Sequence, residues 1–291
     1  MKWIINKKEE QILLREYLYS VRGFSRRTLA AVKHKGGKLL INGKEVTVRY
    51  MLQRNDVVEV IFPPETRSEF MKPQPISFPI IFEDDDVLVV NKPPFMATIP
   101  SRHHPDQTLA NAILYHYDEQ KLPYTVHVVT RLDRDTSGLI LIAKHRYSHA
   151  TLFQDQLTGR VNRRYVAIVA GHLKEKEGTI NAAITRDPSS ILKRMVSEQG
   201  QEAITHYKVV KECHGYSFVQ VQLETGRTHQ IRVHFTSIGH PLIGDSLYGG
   251  AMDKMARQAL HCNKLTFHHP MTKEIMNFTL DLPKDMAPLL T

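Results

Sequence analysis

A short apolar run, Leu139 to Ala143, directly follows a loop in which a carboxylate lies between two guanidiniums. Its continuity, together with the flanking Ser137-Gly138 and Lys144, predicts a strand buried on both faces. Such a strand gives the preceding loop, Arg131 to Arg134, a rigid base. Positive charge on either side of Asp133 favours its ionised form, as an attacking carboxylate requires. An ordinary loop salt bridge has the same pattern, so local chemistry leaves both interpretations open.

The composition indicates a soluble protein of enzyme size. A chain of 291 residues with 42% hydrophobic content can form one large domain and a small one. No apolar run approaches the roughly 18 residues that a membrane helix needs, so we expect neither secretion nor a membrane partner. Cys213 and Cys262 are too few for a disulfide framework, which favours a reduced, cytoplasmic setting. We expect a monomer.

The positive charge is concentrated near the N-terminus. The net charge is +9, and residues 1–60 hold thirteen Lys or Arg against six Asp or Glu, a balance of +7. This asymmetry suits a polyanionic partner, most simply nucleic acid. A basic surface that only aids solubility would give the same count.

Histidine is abundant, but its placement does not predict a metal site. The sixteen His residues include the adjacent pairs His103-His104 and His268-His269. Adjacent residues on a strand point to opposite faces, so neither pair forms a chelate by itself. The sequence also lacks a recognisable phosphate-binding loop. We therefore expect no metal and no cofactor.

The first 62 residues predict a small module of helices and a hairpin. Apolar residues recur at helical spacing over 11–21, and Ser25 can cap a second helix over 26–35 that ends at Gly36-Gly37. Leu29 and Val32 of this second helix can face inward. The residues of its basic face are Arg26, Arg27 and Lys33. The turn Asn42-Gly43, between the apolar runs 38–41 and 45–48, predicts a hairpin.

A Pro-rich and polar stretch, residues 63–75, predicts a linker. From residue 76 to 291 short apolar runs alternate with helical patterns. The predicted strands are 87–90, 139–143, 165–170 and 218–223, and the predicted helices are 109–116, 149–157 and 228–238. This order predicts an α+β fold with a mixed, largely antiparallel β-sheet and flanking helices.

Five ordered blocks resemble the RluA-type pseudouridine synthases. The loop resembles their catalytic motif, His-Arg-Leu-Asp followed by Thr-Ser-Gly, with Thr130 in place of the His. The blocks lie at residues 83–93, 130–144, 164–167, 224–234, and 239–245 with 260–261. The N-terminal module resembles the RNA-binding domain named after ribosomal protein S-four, which implies that its basic helix contacts RNA backbone.

The resemblance implies isomerisation of uridine to pseudouridine without a cofactor. The partner would be RNA, with ribosomal RNA expected and transfer RNA as an alternative. Asp133 would be the catalytic carboxylate. Asp135, just before Thr136-Ser137-Gly138, better suits a turn residue that bonds its own backbone.

Four more residues receive roles from the resemblance. Arg131 would enter the RNA stack in place of the flipped base, although a salt bridge to Asp133 is an alternative. Tyr165 would stack on the uracil and assist proton removal, although a lone strand Tyr is often core. Arg227 would pair with Asp133; Arg232, five residues on in the predicted helix, would face elsewhere. Ile231 would be a pocket wall or ordinary core.

Two other function classes were considered. A glycoside hydrolase needs two carboxyl groups flanking the bond, and the close pair, Asp133 and Asp135, lies in one loop. A non-catalytic RNA-binding or ribosome-assembly protein is the stronger alternative, because the basic module alone would explain RNA binding.

Overall fold

The N-terminal unit is a four-stranded antiparallel sheet covered by short helices. The computed structural model describes residues 1–69, 71–102 and 104–290. The strands of this unit, paired in the order β1-β4-β2-β3, are β1 (Lys2–Ile4), β2 (Lys38–Ile41), β3 (Lys44–Glu45) and β4 (Val57–Ile61). The helices are α1 (Leu14–Glu16), a π-helix (Tyr17–Val21) and α2 (Arg26–His34).

Two predictions for this unit, the cap of the second helix and the hairpin turn, are confirmed. The Ser25 side chain accepts the N–H of Thr28 and so caps α2, whose Leu29 and Val32 are buried as predicted. Asn42 and Gly43 both have positive φ, at 50° and 80°, as the predicted hairpin turn requires.

Two other predictions for this unit were wrong, one on the hairpin and one on the first helix. The second hairpin strand ends at Glu45 and does not reach Val48. The first helix becomes a π-helix at Tyr17, whose carbonyl accepts the N–H of Arg22 five residues on. The wider turn moves Val21 off the buried face, and it is exposed.

The larger unit is built on a ten-stranded sheet. Its main path runs β10-β13-β14-β9-β15-β8-β6-β5, with β16 paired to β15 and β7 to β8, and β11-β12 forms a separate hairpin. The strands are β5 (Ile80–Glu83), β6 (Val87–Lys92), β7 (His127–Val128), β8 (Ser137–Ala143), β9 (Asn162–Ala170), β10 (Glu177–Asn181), β11 (Ile184–Arg186), β12 (Arg194–Val196), β13 (Ile204–Cys213), β14 (Tyr216–Leu223), β15 (Leu260–His268) and β16 (Ile275–Thr279). The helices are α3 (Leu109–Glu119), α4 (Arg146–Leu157), α5 (Gln230–Ser237) and a 3-10 turn (Ala287–Leu290).

The predicted α+β class with a mixed, largely antiparallel sheet is confirmed. All four predicted strands lie within observed ones, and β8 is buried along its whole length. Among the described strands, β8 and β15 pair in parallel and the remaining pairs are antiparallel. No helix in the described ranges combines the length and apolarity needed to span a membrane.

Gly138 allows β8 and β15 to approach closely just after the Asp133 loop. Its φ is +117°, and a Cβ at this position would lie 2.3 Å from the carbonyl oxygen of Cys262. A side chain would therefore push β15 away from β8. The pairing of β8 with β15 thus requires glycine at position 138.

The predicted linker is held against the larger unit. Glu65 binds His127 at 2.5 Å and accepts the backbone N–H of Arg146, while Arg67 donates to the carbonyl of Tyr124. Strand β4 ends at 61 and β5 begins at 80. The division into residues 1–62, 63–75 and 76–291 stays a prediction.

Tyr147 of α4 inserts into the core of the N-terminal unit. Its ring lies 4.8 Å from that of Phe24 and 6.2 Å from that of Trp3, measured between ring centroids. Its hydroxyl donates to the carbonyl of Arg22 at 2.7 Å. The side chain is 3% exposed, so it completes the N-terminal core from the other unit.

We expect Tyr147→Ala to destabilise the N-terminal unit by about 3–5 kcal/mol, because it removes a buried aromatic ring. Tyr147→Phe should cost only about 1 kcal/mol, the worth of one hydrogen bond. Amide hydrogen exchange of residues 1–62 measures both effects. Tyr115→Ala, at a partly exposed position of α3, is the control. Equal protection in the Ala variant and the parent would contradict this role.

Candidate active site

A cavity of about 650 Å³ brings together the five residues predicted for catalysis and base flipping. Its walls come from the loop 131–136, β9, α4 and the start of α5. The predicted residues among its lining are Arg131, Asp133, Tyr165, Arg227 and Ile231. The other predicted set, on α2, is exposed on the N-terminal unit, and its members are Arg26, Arg27 and Lys33. This placement brings the first set together, while the individual roles stay predictions.

The Asp133 loop is fixed by hydrogen bonds to its backbone. Thr98 Oγ1 donates to the carbonyl of Leu132 at 2.7 Å. The N–H of Thr136 bonds the carbonyl of Asp133 at 3.1 Å and closes a turn. Asp133 is left partly exposed, with its carboxylate facing the cavity.

Lys92 supports this loop from below. Its fully buried ammonium donates to the carbonyls of Pro93, Met96 and Arg134, at 2.8–2.9 Å. Burial lowers the pKa of Lys92 to about 7, although Asp133 and Asp135 oppose the shift. Three carbonyl acceptors require three N–H groups, so the hydrogen bonding favours the charged form. The lysine therefore ties the end of β6 to the Asp133 loop.

Arg232 joins Asp133 to a second carboxylate. Its Nη1 lies 3.1 Å from Asp133 Oδ2, while its Nε and Nη2 bind the two oxygens of Asp245 at 2.7 and 2.8 Å. The Arg232 and Asp245 side chains are 7% and 1% exposed. Burial alone would lower the pKa of Arg232, but the hydrogen bonds that it donates to Asp245 and the charge of Asp133 raise it overall. A permanent cation thus faces the Asp133 carboxylate.

The expected pairing of Asp133 with Arg227 is wrong. The Nε of Arg227 instead donates to the carbonyl of Glu202 at 2.9 Å. The prediction assumed a helix that begins at 228, but α5 begins at Gln230, and His229 before it is left-handed, with φ 58°. Helical spacing therefore does not relate Arg227 to Arg232. The latter lies in the first turn of α5 and reaches Asp133.

The two arginines that flank Asp133 in sequence were expected to provide its positive surroundings, but neither forms its ion pair. Arg134 binds Asp135 at 2.7 and 3.0 Å, and this pair replaces the backbone bond expected of Asp135. Arg131 is exposed at the cavity wall. The charge that faces Asp133 thus comes from Arg232, 99 residues later in the chain.

Tyr165 and Ile231 form apolar walls of the cavity. They are each 4% exposed, on β9 and in the first turn of α5. Burial raises the pKa of Tyr165, so its phenol stays protonated at neutral pH. Both side chains also belong to the main core, so the core and site interpretations of the sequence are compatible.

One group among the described residues has a geometry that could hold a metal ion. Its members, Asp84, Asp86 and His269, have ligand atoms within 4.8 Å of one another. The Nδ1 of His269 accepts the backbone N–H groups of Met271 and Thr272, so its Nε2 carries the proton and donates to Asp84 at 2.9 Å. Hydrogen bonds within the protein thus account for the group. Of the His pairs considered above, His103 lies outside the described residues.

Sequence reasoning gave no site role to three residues of this network, Lys92, Arg232 and Asp245. The available signals were a lysine at the end of a buried strand and an Asp after a Gly-His-Pro turn. Each is weak alone, because only the tertiary fold shows which charges meet.

Comparisons with known proteins point to one family. Residues 86–237 match the family model described as RNA pseudouridylate synthase. The chain is 49% identical over 268 residues to the RNA pseudouridine synthase YjbO of Bacillus subtilis, covering 92% of this chain and 95% of that protein. It is 36% identical to ribosomal large subunit pseudouridine synthase D of Xylella fastidiosa, over 88% and 81% of the two chains.

The fold is also similar to that of a solved structure. Human RNA pseudouridylate synthase domain containing 1 aligns with a TM-score of 0.61 and 27% identity, covering 76% of this chain and 89% of that one. Sequence family, close relatives and fold therefore agree. The chain belongs to the RNA pseudouridylate synthase family, as an RluA-type enzyme.

Proposed function

We propose that this enzyme isomerises specific uridines of structured RNA, with large-subunit ribosomal RNA as the substrate, and that Asp133 acts on a uridine flipped into the cavity. The observation that carries the proposal is the partly exposed Asp133 carboxylate, held by buried Arg232 beside Tyr165 in one cavity. The substrate class is supported by relatives named as ribosomal large subunit enzymes. RNA is the partner in this proposal, and the setting is cytoplasmic.

The reaction needs no co-reactant, since pseudouridine is an isomer of uridine. The bond from uracil N1 to the sugar C1′ breaks, the ring turns while bound, and C5 bonds to C1′. The proton on C5 leaves and N1 gains one. The carboxylate of Asp133 acts as the nucleophile toward the nucleoside, and the bond that it forms breaks again before the product leaves, so the carboxylate is regenerated.

The residues around Asp133 orient it, hold the uracil ring and stabilise the RNA. Arg232 holds the carboxylate in one orientation. Tyr165 and Ile231 pack against the uracil ring and exclude water. The phenol of Tyr165 assists transfer of the C5 proton, and because N1 gains one proton as C5 loses one, the phenol ends the reaction protonated as it began. Arg131, exposed at the wall, stacks in the RNA where the flipped base was.

The N-terminal unit supplies a second grip on RNA in this proposal. The exposed basic face of α2 lies beside a groove of about 420 Å³ whose lining includes Lys33, Lys38 and Arg49. Closely spaced cations next to a groove suit a phosphate backbone. We infer that this unit is an RNA-binding module of the S-four type.

We expect Asp133→Asn to lower the rate of pseudouridine formation by about 10³-fold or more, equivalent to about 4 kcal/mol, because the amide cannot act as the nucleophile. RNA affinity and folding should change little. Asp135→Asn, in the same loop, is the matched control and should stay near the parent rate. Detection of the carbon-linked nucleoside in RNA incubated with each pure protein is the measurement. A near-parent rate for Asp133→Asn would refute the assignment, and an inactive parent would favour a non-catalytic RNA-binding protein.

We expect Arg232→Lys to lower the rate about 100-fold, because lysine cannot reproduce the forked contact with both carboxylates. Arg227→Lys is the control and should have a much smaller effect, since Arg227 bonds a backbone carbonyl. Single-turnover rates at saturating RNA, with thermal unfolding as the check on folding, compare the two. A larger loss for Arg227→Lys would restore the pairing first predicted.

We expect Arg26→Gln, Arg27→Gln and Lys33→Gln together to weaken RNA binding and flatten its salt dependence. Each lost phosphate contact should remove about one unit from the slope of log affinity against log salt. The rate at saturating RNA should be unchanged. Lys174, Lys254 and Lys284, exposed lysines of the larger unit, provide a control triple with the same charge change. An unaltered slope in a well-folded α2 variant would assign the RNA grip to the larger unit.

A further inference from the structure

His229 lies at the cavity between the catalytic carboxylate and a tyrosine. It caps the N-terminus of α5 in a left-handed conformation, with φ 58°, and it lines the cavity together with Asp133. Its side chain is 16% exposed. The left-handed backbone fixes the direction in which the His229 side chain leaves the helix start.

One ring nitrogen of His229 has a partner and the other does not. Its Nδ1 lies 2.9 Å from the hydroxyl of Tyr248, within hydrogen-bond distance. Its Nε2 lies 3.8 Å from Asp133 Oδ2, too far for a hydrogen bond. The Nε2 position therefore remains available to a molecule in the cavity.

Tyr248 determines which nitrogen carries the proton. Its hydroxyl accepts the backbone N–H of Arg194 at 2.9 Å. The hydroxyl keeps its own proton for donation, and Nδ1 of His229 is an acceptor within reach at 2.9 Å. The proton of the neutral imidazole is consequently on Nε2, the nitrogen beside Asp133.

The imidazole is neutral rather than cationic. Burial lowers the pKa of His229, and Arg232 adds to this effect, while Asp133 and Asp245 oppose it. The N-terminus of α5 also disfavours a positive charge at this position. The site thus presents one fixed neutral N–H next to the nucleophile.

We propose that His229 donates its Nε2–H to a carbonyl oxygen of the uracil ring while the ring is detached from C1′. This inference rests on the proposed function and adds a residue to it. Breaking the N1–C1′ bond leaves the electron pair on the ring, where it is shared with the carbonyl oxygens. A fixed donor stabilises that charge and limits the motion of the ring as C5 replaces N1. The proton stays on His229, so the step adds no proton transfer.

Tyr248 is a positioning residue in this arrangement. Besides bonding His229, its ring lies under Arg232, with the guanidinium carbon 4.9 Å from the ring centroid. One aromatic side chain thus contacts both groups that face Asp133. Tyr248→Phe keeps the ring under Arg232 and removes only the hydroxyl.

The test compares His229→Gly with His229→Gln. Glycine adopts positive φ and is tolerated as a helix N-cap, so the Gly variant removes the imidazole without straining the backbone. We expect it to lower the single-turnover rate by about 100-fold, the effect of losing one fixed donor, with the RNA dissociation constant within about 2-fold. The Gln side chain can place an N–H near the Nε2 position and should recover about 10-fold of that loss.

His214→Gly is the matched control. His214 also has positive φ, at 52°, and is exposed in the turn between β13 and β14. The rate should be unchanged there. This control separates the lost imidazole from a general effect of a new glycine.

A double-mutant cycle distinguishes donation from a structural role. Tyr248→Phe should slow the parent about 10-fold but cause no further loss in the His229→Gly variant, because it acts through the imidazole. Additive losses would overturn the assigned relation between the two residues.

The remaining outcomes are separable. Absence of pseudouridine with the parent protein refutes the proposed function itself. With an active parent, an unchanged rate in His229→Gly overturns the donor role, and so does a loss confined to RNA affinity. If His229→Gly unfolds, the rates of His229→Gln and Tyr248→Phe are used instead. Parent-like rates in both variants would overturn the donor role of His229.

Discussion

The buried guanidinium of Arg232 is the interaction on which the rest of the site depends. It joins three segments that are distant in sequence: the Asp133 loop, the first turn of α5, and the turn that carries Asp245. Without Arg232 the buried carboxylate of Asp245, 1% exposed, would have no counter-ion, and removing one partner of a buried pair costs about 3–5 kcal/mol. The same contact that holds these segments together also orients the carboxylate. The packing of these segments and the position of the Asp133 carboxylate therefore depend on one side chain.

The support beneath the loop has a different physical origin. Gly138 permits backbone contact between β8 and β15, and Lys92 binds carbonyls at the end of β6. These contacts involve backbone atoms and leave the Asp133 side chain free. The charged network contacts the Asp133 side chain, whereas the support below contacts the backbone of other residues in and beside the loop. This separation lets a rigid loop present a carboxylate with an open face.

Features encoded by neighbouring residues could be predicted from sequence, and features created by long-range contact could not. Ser25 caps α2 and Asn42-Gly43 forms its turn because the information lies within a few residues. The buried strand β8 was visible as an apolar run. The direction of the Arg232 side chain was predicted wrongly because the left-handed residue His229 delays the start of α5 to Gln230. The directions in which the helix side chains point change accordingly. The likeness to a family indicated Asp133 and Tyr165, but not the contacts that position them.

The aromatic contact made by Tyr147 has a consequence for how the chain folds during synthesis. The N-terminal core needs a ring that is translated about 85 residues after the module itself ends. At about 5–20 residues per second, this delay is roughly 4–17 s. Throughout that interval Trp3 and Phe24 lack the ring that packs against them in the finished protein. The N-terminal unit thus leaves the ribosome before α4 but reaches its final packing only after α4 has emerged. The rate at which its core is completed therefore depends on synthesis of the larger unit.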